Sequence, residues 1–426
     1  MFAVQRLPFV LGSLCFAASV VGADFALRDG DTVAFLGDSI TAARGYTKIV
    51  EHYTLMRYPQ RRVRFVNAGK GGDTARGAVQ RLERDVFGHG ATVVTVALGV
   101  NDIGWGMKAD LEHKQLYLDG IRTIVERCQA RKVRVFICSP AITAEPPERA
   151  ENGFLQKMTD EGIELAKSLG AGTIDLQRGM RAVQRRILEA NAKESDPKKQ
   201  TRLHAEDGVH LNELGHLAMA YAMLKGLGAP ADVSSGIVDA ATGTVVAAEG
   251  CSISKVVRGP DGIAFTRLDQ GLPLNLGILS GLNHRWVPIP EGLNQYRLAI
   301  TNLPPGDYEI RADGRRLGKV SAERLSRGLN ISSMTADGWE PGGPWDAQSD
   351  IVKELVDARD KLWMSGVLRA NYNSAHPARA KLDRQTRLLD DQLVAEQRAQ
   401  AKPYPYRFEI RKMYPGHAGQ TRARDH

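Results

Sequence analysis

Two stretches of the chain, far apart in sequence, carry side chains suited to nucleophilic catalysis. The run TVAFLGDSIT, residues 32–41, ends a mostly apolar segment on a glycine, an aspartate and Ser39, and the segment DGVHLNELGH, residues 207–216, contains Asp207 and His210. A serine hydroxyl is nearly inert until an imidazole takes its proton, and a carboxylate on the other ring nitrogen fixes the tautomer of that imidazole. The pattern predicts Ser39 as nucleophile, His210 as general base and Asp207 as the acid that orients the base.

Two further segments contain groups that could stabilise an oxyanion. Gly72 lies in NAGKGGDT, residues 67–74, and Asn101 lies in LGVND, residues 98–102. A tetrahedral intermediate needs N–H donors, which a glycine backbone, an asparagine amide and the backbone N–H of Ser39 can supply. Each residue also has a simpler interpretation, because Ser39 suits a helix N-cap and Gly72 and Asn101 suit turns.

The first half of the chain alternates between β-branched runs and longer amphipathic segments. The predicted strands are TVAFL, RVRFVNA, TVVTVAL, VRVFICS and GTIDL. The predicted helices lie near residues 43–58, 75–86, 113–131, 153–169, 176–194 and 212–226. This alternation predicts a parallel sheet covered on both faces, in which reactive groups collect beyond the carboxyl ends of the strands. Ser39 and Asn101 both follow predicted strands, so we expect them at one edge of the sheet.

Together, and in this order, the four segments resemble the four sequence blocks of the SGNH hydrolases, also called the GDSL esterase/lipase family. The resemblance covers roughly residues 30–228. It implies a three-layer α/β/α, flavodoxin-like parallel sheet with strand order 2-1-3-4-5, and ester hydrolysis by a Ser-His-Asp triad without a cofactor. It also implies that the three N–H donors named above form the oxyanion hole. The Gly-Asp-Ser turn differs from the Gly-x-Ser-x-Gly elbow of the α/β-hydrolases.

We predict four parts of the chain from its changes in composition. Residues 1–23 form a signal peptide, 24–230 the catalytic domain, 231–340 a small β-rich domain and 341–426 a helical segment that packs back on the catalytic domain. The β-rich prediction rests on short runs such as YRLAIT and DYEIRA that Gly, Pro and Asn interrupt. A highly charged helix is expected near residues 379–399.

Another C-terminal helix is expected near residues 347–370. Ile351, Leu355, Leu362 and Trp363 fall at helical spacing in this segment. A helix with such an apolar stripe must bury it against another element. Because the β-rich segment has little spare apolar surface in its sequence, we expect the stripe to dock on the catalytic domain.

The N-terminus and the overall charge bear on location and partners. An apolar run, LPFVLGSLCFAASVV, precedes the small residues that end at Ala23, so we expect cleavage there and a secreted or periplasmic protein. The net charge is +8, but no Lys/Arg cluster interleaved with aromatic residues is present, so we expect no nucleic-acid partner. No later segment is apolar enough to predict a membrane span.

A metal site is the alternative chemistry for the last of the four segments. The possible ligands there are His204, Asp207, His210, Glu213 and His216. Their spacing matches no zinc signature such as H-E-x-x-H. We therefore expect no metal, and we expect the set to reflect a triad beside a helix that Asn212 caps.

Three features favour a carbohydrate substrate. They are the predicted export, the β-rich domain and the position of Trp105 in a glycine-rich loop after Asn101, where an indole could stack on a sugar ring. We predict the removal of O-acetyl groups from a polysaccharide, with an acylated carbohydrate or another small ester as the partner. A lipolytic or general short-acyl esterase is the alternative within the enzymes, and a non-catalytic glycan-binding protein is the alternative outside them.

Overall fold

The computed structural model describes residues 25–339, 342–372 and 378–414, so the predicted signal peptide lies outside the described residues. The first strands of the chain are β1 (Thr32–Gly37), β2 (Arg64–Gly69), β3 (Val93–Ala97), β4 (Arg134–Cys138) and β5 (Gly172–Ile174). They pair in parallel in the order β2-β1-β3-β4-β5. This arrangement confirms the predicted flavodoxin-like α/β sheet.

Helices connect these strands and follow the last of them. They are α1 (Ser39–Ala42), α2 (Gly45–Arg57), α3 (Ala75–Val79), α4 (Leu82–Asp85), α5 (Leu111–Ala130), α6 (Pro147–Ala150), α7 (Phe154–Ser168), α8 (Leu176–Asn191) and α9 (Glu213–Gly226). Asn212 caps α9 as predicted, because its side chain accepts a hydrogen bond from Gly215 N at 2.9 Å. Within the described ranges, no helix is both long enough and apolar enough to cross a membrane.

The interior strands of this sheet are buried on both faces. Along β1, Val33 and Phe35 join the core on one face, while Ala34 and Leu36 join the core on the other. Side chains alternate between the two faces of a strand, so a strand covered by helices on both sides must be apolar throughout. The unbroken apolar run of β1 therefore places its carboxyl end inside the sheet rather than at its margin.

The second half of the chain is rich in strands, as predicted. Its elements up to residue 330 are β6 (Asp232–Asp239), β7 (Val245–Glu249), β8 (Cys251–Gly259), β9 (Gly262–Asp269), α10 (Ile289–Gly292), β10 (Gln295–Thr301), β11 (Asp307–Ala312), β12 (Arg315–Ser321), α11 (Ala322–Arg327) and β13 (Leu329–Asn330). One four-stranded sheet has the order β13-β10-β6-β7. It is mixed, since β10 runs parallel to β6 while the other two pairings are antiparallel.

The predicted C-terminal helices are present, together with a strand that was not predicted. The segment forms α12 (Pro344–Tyr372), α13 (Arg379–Gln400) and β14 (Tyr406–Lys412). Strand β14 lies between β9 and β11, antiparallel to both, in a five-stranded sheet of order β12-β11-β14-β9-β8. Its alternate residues Tyr406, Phe408 and Ile410 are buried in a core to which both β-sheets contribute. The tail thus supplies a middle strand to the β-rich part of the protein.

The predicted apolar stripe of α12 is displaced from the side that the helix buries. Ile351 is 51% exposed, whereas the neighbouring Val352 and Val356 are buried in the β-rich core. Leu355 and Trp363 are only half-buried. The stripe prediction is wrong at Ile351, because the first half of α12 packs on the β-sheets through Val352 and Val356. It is confirmed at Trp363, whose ring lies 5.4 Å from that of His89 and 5.9 Å from the Arg44 guanidinium of the first domain.

A buried cluster of charged and polar side chains joins α12 and α13 to the first domain. The Arg359 guanidinium donates to Glu51 Oε1 at 2.9 Å, to Asp390 Oδ1 at 2.7 Å and to the Phe65 carbonyl at 2.9 Å. Gln397 of α13 also donates to Glu51 Oε1, at 3.2 Å. Burial raises the pKa of Glu51, and the attraction of Arg359 opposes that rise. The cluster ties α2 and β2 to both C-terminal helices.

Replacing Arg359 by Met should lower the free energy of unfolding by about 3–5 kcal/mol, because Glu51 would stay buried without its ion-pair partner. Urea denaturation of the full chain at neutral pH measures the change. The control Arg384→Met removes an exposed arginine of α13 and should change stability by less than about 0.5 kcal/mol. Equal stability of the two variants would contradict a stabilising role for the cluster.

Candidate active site

Ser39 lies immediately beyond the carboxyl end of β1. Asp38 caps α1, because its Oδ1 accepts a hydrogen bond from Ile40 N at 2.9 Å, and Ser39 is the first helical residue. A Cβ on Gly37 would lie 2.1 Å from Thr41 Oγ1, so this close turn requires glycine. The Gly-Asp-Ser sequence thus turns a buried strand into a helix and leaves the serine half-buried at the edge of the sheet.

His210 connects Ser39 to Asp207. Its Nε2 lies 2.8 Å from Ser39 Oγ, and its Nδ1–H donates to Asp207 Oδ2 at 2.6 Å. Asp207 Oδ1 accepts from the backbone N–H groups of Val209 and His210, each at 2.9 Å. The hydrogen bond from the His210 ring, helped by these two amides, lowers the pKa of Asp207 to about 2. An ionised carboxylate therefore holds the proton on Nδ1 and leaves Nε2 as the acceptor that faces the serine.

Trp105 contacts two of the predicted site residues. Its indole Nε1 donates to Asn101 Oδ1 at 2.9 Å, and the edge of its ring faces His210 with the ring centroids 5.7 Å apart. The side chain is 49% exposed, and the backbone has a φ of 58°, in the left-handed region that residues other than glycine seldom adopt. The loop therefore holds a large aromatic ring at the rim of the site.

The hydrogen bond from Trp105 fixes the amide of Asn101. With its oxygen bound to the indole, the Nδ2 of Asn101 faces the Asp73 carbonyl at 3.2 Å and Asp38 Oδ2 at 3.4 Å. Asp73 directly follows Gly72, which is exposed and has a φ of 70°. The structure thus places the Asn101 amide beside the loop that contains Gly72, and the shared oxyanion position stays a prediction.

Arg81, which the sequence analysis missed, joins the ends of β1 and β2. Its buried guanidinium donates to the carbonyls of Gly37 at 3.0 Å and Ala68 at 2.6 Å, and to Asp73 Oδ2 at 2.7 Å. The helix predicted over residues 75–86 is broken into α3 and α4, because Arg81 has a non-helical backbone where it turns inward. One arginine in an amphipathic pattern looks like a solvent-facing residue, so the sequence carries no signal for this role.

Two carboxyl groups next to the site are buried. Burial raises the pKa of Asp38 to about 6 and that of Asp102 to about 7. Asp102 Oδ1 accepts a hydrogen bond from Ala75 N at 2.9 Å, while its Oδ2 has no partner among the described residues. Asp102 therefore fixes the start of α3 at the cost of keeping an ionisable group away from water.

The possible metal ligands around His210 do not converge on one point. The His204 ring donates through Nε2 to the Ile142 carbonyl at 2.9 Å, and the His216 ring packs over Gly45. Across the part of the chain that the structure describes, no group of three or more His, Cys, Asp or Glu side chains is arranged to hold a metal ion. The segment is occupied instead by the contacts of His210 and by the cap of α9.

Comparison with known proteins gives matches over the same region. Residues 35–218 match the model of the GDSL-like Lipase/Acylhydrolase family. An acetylxylan esterase of Geobacillus stearothermophilus is 25% identical over 228 residues, which are 47% of this chain and 96% of that protein. A solved structure of an acetylxylan esterase from the same organism is 22% identical. The match covers 48% of this chain and 96% of that chain, with a TM-score of 0.40.

A solved structure of a gut microbial diltiazem-metabolizing enzyme resembles nearly the whole chain. It is 24% identical and has a TM-score of 0.75 over 91% of this chain and 98% of that chain. The combination of an α/β sheet, β-rich sheets and C-terminal helices is therefore a fold that another protein shares.

The parallel sheet and the family match define the class of the protein as a carboxylic ester hydrolase. Residues 35–218 match the GDSL-like lipase/acylhydrolase family, whose members are also called SGNH hydrolases.

Replacing Asp102 by Asn should remove a pH dependence of stability. A carboxyl group whose pKa is raised in the fold keeps its proton there, while the unfolded chain loses that proton near pH 4, so the wild type loses stability as the pH rises from about 4 to about 7. The amide cannot ionise, and its oxygen can still accept from Ala75 N. Between about pH 4 and pH 7, the free energy of unfolding of the variant should therefore rise by about 2–4 kcal/mol relative to that of the wild type.

Urea denaturation of both proteins at several pH values between those limits measures this difference. A difference in unfolding free energy that does not change with pH would contradict the assignment of the raised pKa to Asp102.

Proposed function

We propose that this protein is a secreted serine esterase that removes O-acetyl groups from a polysaccharide. The observation that carries the proposal is the unbroken hydrogen-bond chain Asp207–His210–Ser39 at the carboxyl edge of the parallel sheet of an ester hydrolase. This chain links residues that are 171 positions apart in sequence. Such an arrangement activates a hydroxyl that would otherwise be a poor nucleophile.

In the proposed reaction, His210 Nε2 takes the proton of Ser39 Oγ as that oxygen bonds to the acetyl carbonyl carbon. The tetrahedral intermediate then collapses, the bond to the sugar oxygen breaks, and His210 returns its proton to that oxygen. An acetyl-serine remains. Water, deprotonated by His210, attacks its carbonyl carbon and releases acetate and the free serine. The ionised Asp207 stabilises the imidazolium during both steps.

The oxyanion of each intermediate needs hydrogen-bond donors that are already in place. In the proposal these are the backbone N–H groups of Ser39 and Gly72 and the side-chain amide of Asn101. The fixed orientation of that amide supports the assignment, because its oxygen is held by Trp105 and only its nitrogen can donate. The loss of one such donor typically costs about 3–4 kcal/mol in the transition state.

Two observations support an acetylated sugar as the substrate: an aromatic side chain at the rim of the site and the description of one relative. The indole of Trp105 is half exposed beside His210, and a flat aromatic surface of this kind suits the apolar face of a sugar ring. The relative from Geobacillus stearothermophilus is described as an acetylxylan esterase. Export is proposed on the predicted signal peptide, residues 1–23.

A short-acyl esterase acting on small esters other than carbohydrates is the second candidate. It is favoured by the exposure of the site, since the side chains of His210 and Asp207 are each 36% exposed and would admit many alcohols. The protein with a similar fold over nearly the whole chain is described as diltiazem-metabolizing, which names a small-molecule substrate for that protein. The two candidates share one catalytic chemistry and differ in the alcohol.

Replacing Ser39 by Ala should reduce kcat for p-nitrophenyl acetate by at least about a thousandfold, because no other group can form the acyl-enzyme. A fluorophosphonate probe should label the wild type at Ser39 and leave the variant unlabelled. The control Ser168→Ala removes an exposed serine of α7 and should leave both activity and labelling unchanged.

Two results would overturn parts of this proposal separately. A Ser39→Ala variant that keeps more than about a hundredth of the wild-type kcat would contradict the covalent mechanism. An active wild type that releases acetate from aryl esters but from none of a panel of acetylated polysaccharides would reject the carbohydrate substrate and favour the second candidate. A folded wild type without labelling would favour a binding protein.

Substitutions of Trp105 should separate its two contacts. Trp105→Phe keeps a ring but loses the N–H bound to Asn101, so kcat should fall about fivefold on both aryl acetate and acetylated oligosaccharide, as expected for a bond of ~1 kcal/mol. Trp105→Ala should in addition raise KM for the oligosaccharide alone. The control Trp339→Ala removes a tryptophan that is 80% exposed elsewhere. Equal effects of the Ala variant on KM for both substrates would contradict sugar stacking.

A further inference from the structure

A second feature of the molecule is a cavity of about 630 Å³ between the first domain and the C-terminal half. Helices α2, α9 and α12 form its sides, and residues 275–277 together with Asn283 contribute the remaining wall. Small-molecule sites typically enclose about 300–1,000 Å³, so the cavity has the size of a binding site. None of the proposed catalytic residues lines it.

The cavity begins at the same edge of the sheet as the proposed active site. Gly45 and Glu213, the first residues of α2 and α9, both line it. Helices that follow parallel strands start at the carboxyl edge of the sheet, where the reactive loops lie. Ser39 begins the short helix α1, and Gly45 begins the next helix six positions later; Glu213 follows His210 by three positions. A ligand chain that leaves the catalytic serine can therefore continue into the cavity.

His52 of α2 forms part of one wall of the cavity. The Ser349 hydroxyl donates its single proton to the Asn275 carbonyl at 3.1 Å, so it must accept from His52 Nε2–H at 3.0 Å. Burial lowers the pKa of His52 to about 4, so the ring is neutral and its Nδ1 has a free lone pair. His52 is 1% exposed, and this Nδ1 has no partner among the described residues.

His216 repeats this situation on the opposite helix. Its ring is 8% exposed and lies over Gly45, where a Cβ would come within 2.4 Å of the imidazole Cγ. Burial lowers the pKa of His216 to about 4, so this ring is neutral as well. Its Nδ1 likewise lacks a partner in the described part of the chain. Neither Nδ1 atom has accessible surface, so both neutral imidazoles belong to the packed wall of the cavity and offer no charge to a ligand.

The accessible lining groups indicate which kind of ligand the cavity would take. Lys48 donates to Asp357 at 2.6 Å, and Lys353 donates to Asp357 and to Glu354, each at 3.1 Å. Two carboxylates thus offset the two cations, and an anionic ligand is disfavoured. The exposed carboxylates of Glu213 and Asp350 add further acceptors at the rim. Apolar side chains, among them those of Ile49 and Leu276, form the intervening wall. Hydroxyl groups as donors and C–H faces for the apolar wall are combined in a sugar ring.

We propose that this cavity binds the glycosyl units on the alcohol side of the ester, so that the C-terminal half helps to select an oligomeric substrate. The inference rests on the proposed carbohydrate esterase function. It assigns a binding role to a junction that would otherwise be only structural. In this arrangement the sugar that bears the acetyl group lies at Trp105, and neighbouring units of the glycan donate hydroxyl protons to the carboxylates of Glu213 and Asp350.

The test compares kcat/KM for an acetylated xylo-oligosaccharide with kcat/KM for p-nitrophenyl acetate. Ile49→Trp and Leu276→Trp fill the cavity and should lower the ratio of the two constants at least tenfold. Asp350→Ala, at an exposed position that folding tolerates, should lower it about threefold to fivefold, as expected for one lost hydrogen bond. The matched control Ile351→Trp adds the same bulk to an exposed neighbour of Asp350 that does not line the cavity, and it should keep the wild-type ratio.

The outcomes separate this inference from the proposed function. Suppose that the wild type cleaves the oligosaccharide and that the ratio of the two kcat/KM values is the same in Asp350→Ala, in the filled variants and in the control. This result would overturn the cavity as a glycosyl site and leave the esterase function intact. A wild type that cleaves only p-nitrophenyl acetate would overturn the carbohydrate substrate and the cavity proposal together. A ratio lowered in Asp350→Ala and in a folded filled variant, but not in the control, would support the site.

Discussion

Parallel pairing of the first three strands fixes where the reactive groups of this protein can lie. Because β1 runs in the same direction as β2 and β3, the loops that follow all three open at one edge of the sheet. Those loops carry Ser39, Gly72 and Asn101. Helix α9 starts at that edge as well, and the loop before it therefore brings His210 to the serine. The site depends on this shared direction more than on any single contact.

Buried charged side chains lie where separate elements of the structure meet. Arg81 satisfies backbone carbonyls at the ends of two strands, and Arg359 satisfies a carbonyl and two carboxylates where the C-terminal helices meet the first domain. A buried ion pair contributes little to stability relative to apolar packing, but it tolerates few geometries, since a displaced partner leaves a charge without solvation. Both arginines therefore specify orientation, one for the loops of the site and the other for the helices beside the cavity.

The fold of the first half could be predicted because several independent signals agree. Strand and helix periodicity, the motif order and the cap at Asn212 all pointed to the sheet that the structure contains. The second half was harder to predict, because the environment of many of its residues is set by segments that are distant in sequence. The alternating pattern of β14 is short and follows a charged helix, so it gives a weak strand signal. In α12 the predicted apolar stripe began at Ile351, which is exposed, because the helix buries Val352 and Val356 instead. Arg81, Arg359 and the two histidines of the cavity look like solvent-facing residues until the tertiary contacts are known.

The position of β14 has a consequence for the order in which the chain can fold during synthesis. The strands of the catalytic sheet are complete at Ile174, and the helix that follows His210 ends at Gly226, so this half can assemble while the rest is still being translated. The β-rich half cannot do the same, because β9 and β11 are separated by β14, which is synthesised about a hundred residues after β11. Until the ribosome has passed Lys412, both strands present open edges that can pair with other chains. A nascent protein that stalls, or one that loses its tail to a protease, would therefore keep a formed catalytic sheet attached to an aggregation-prone β-sheet.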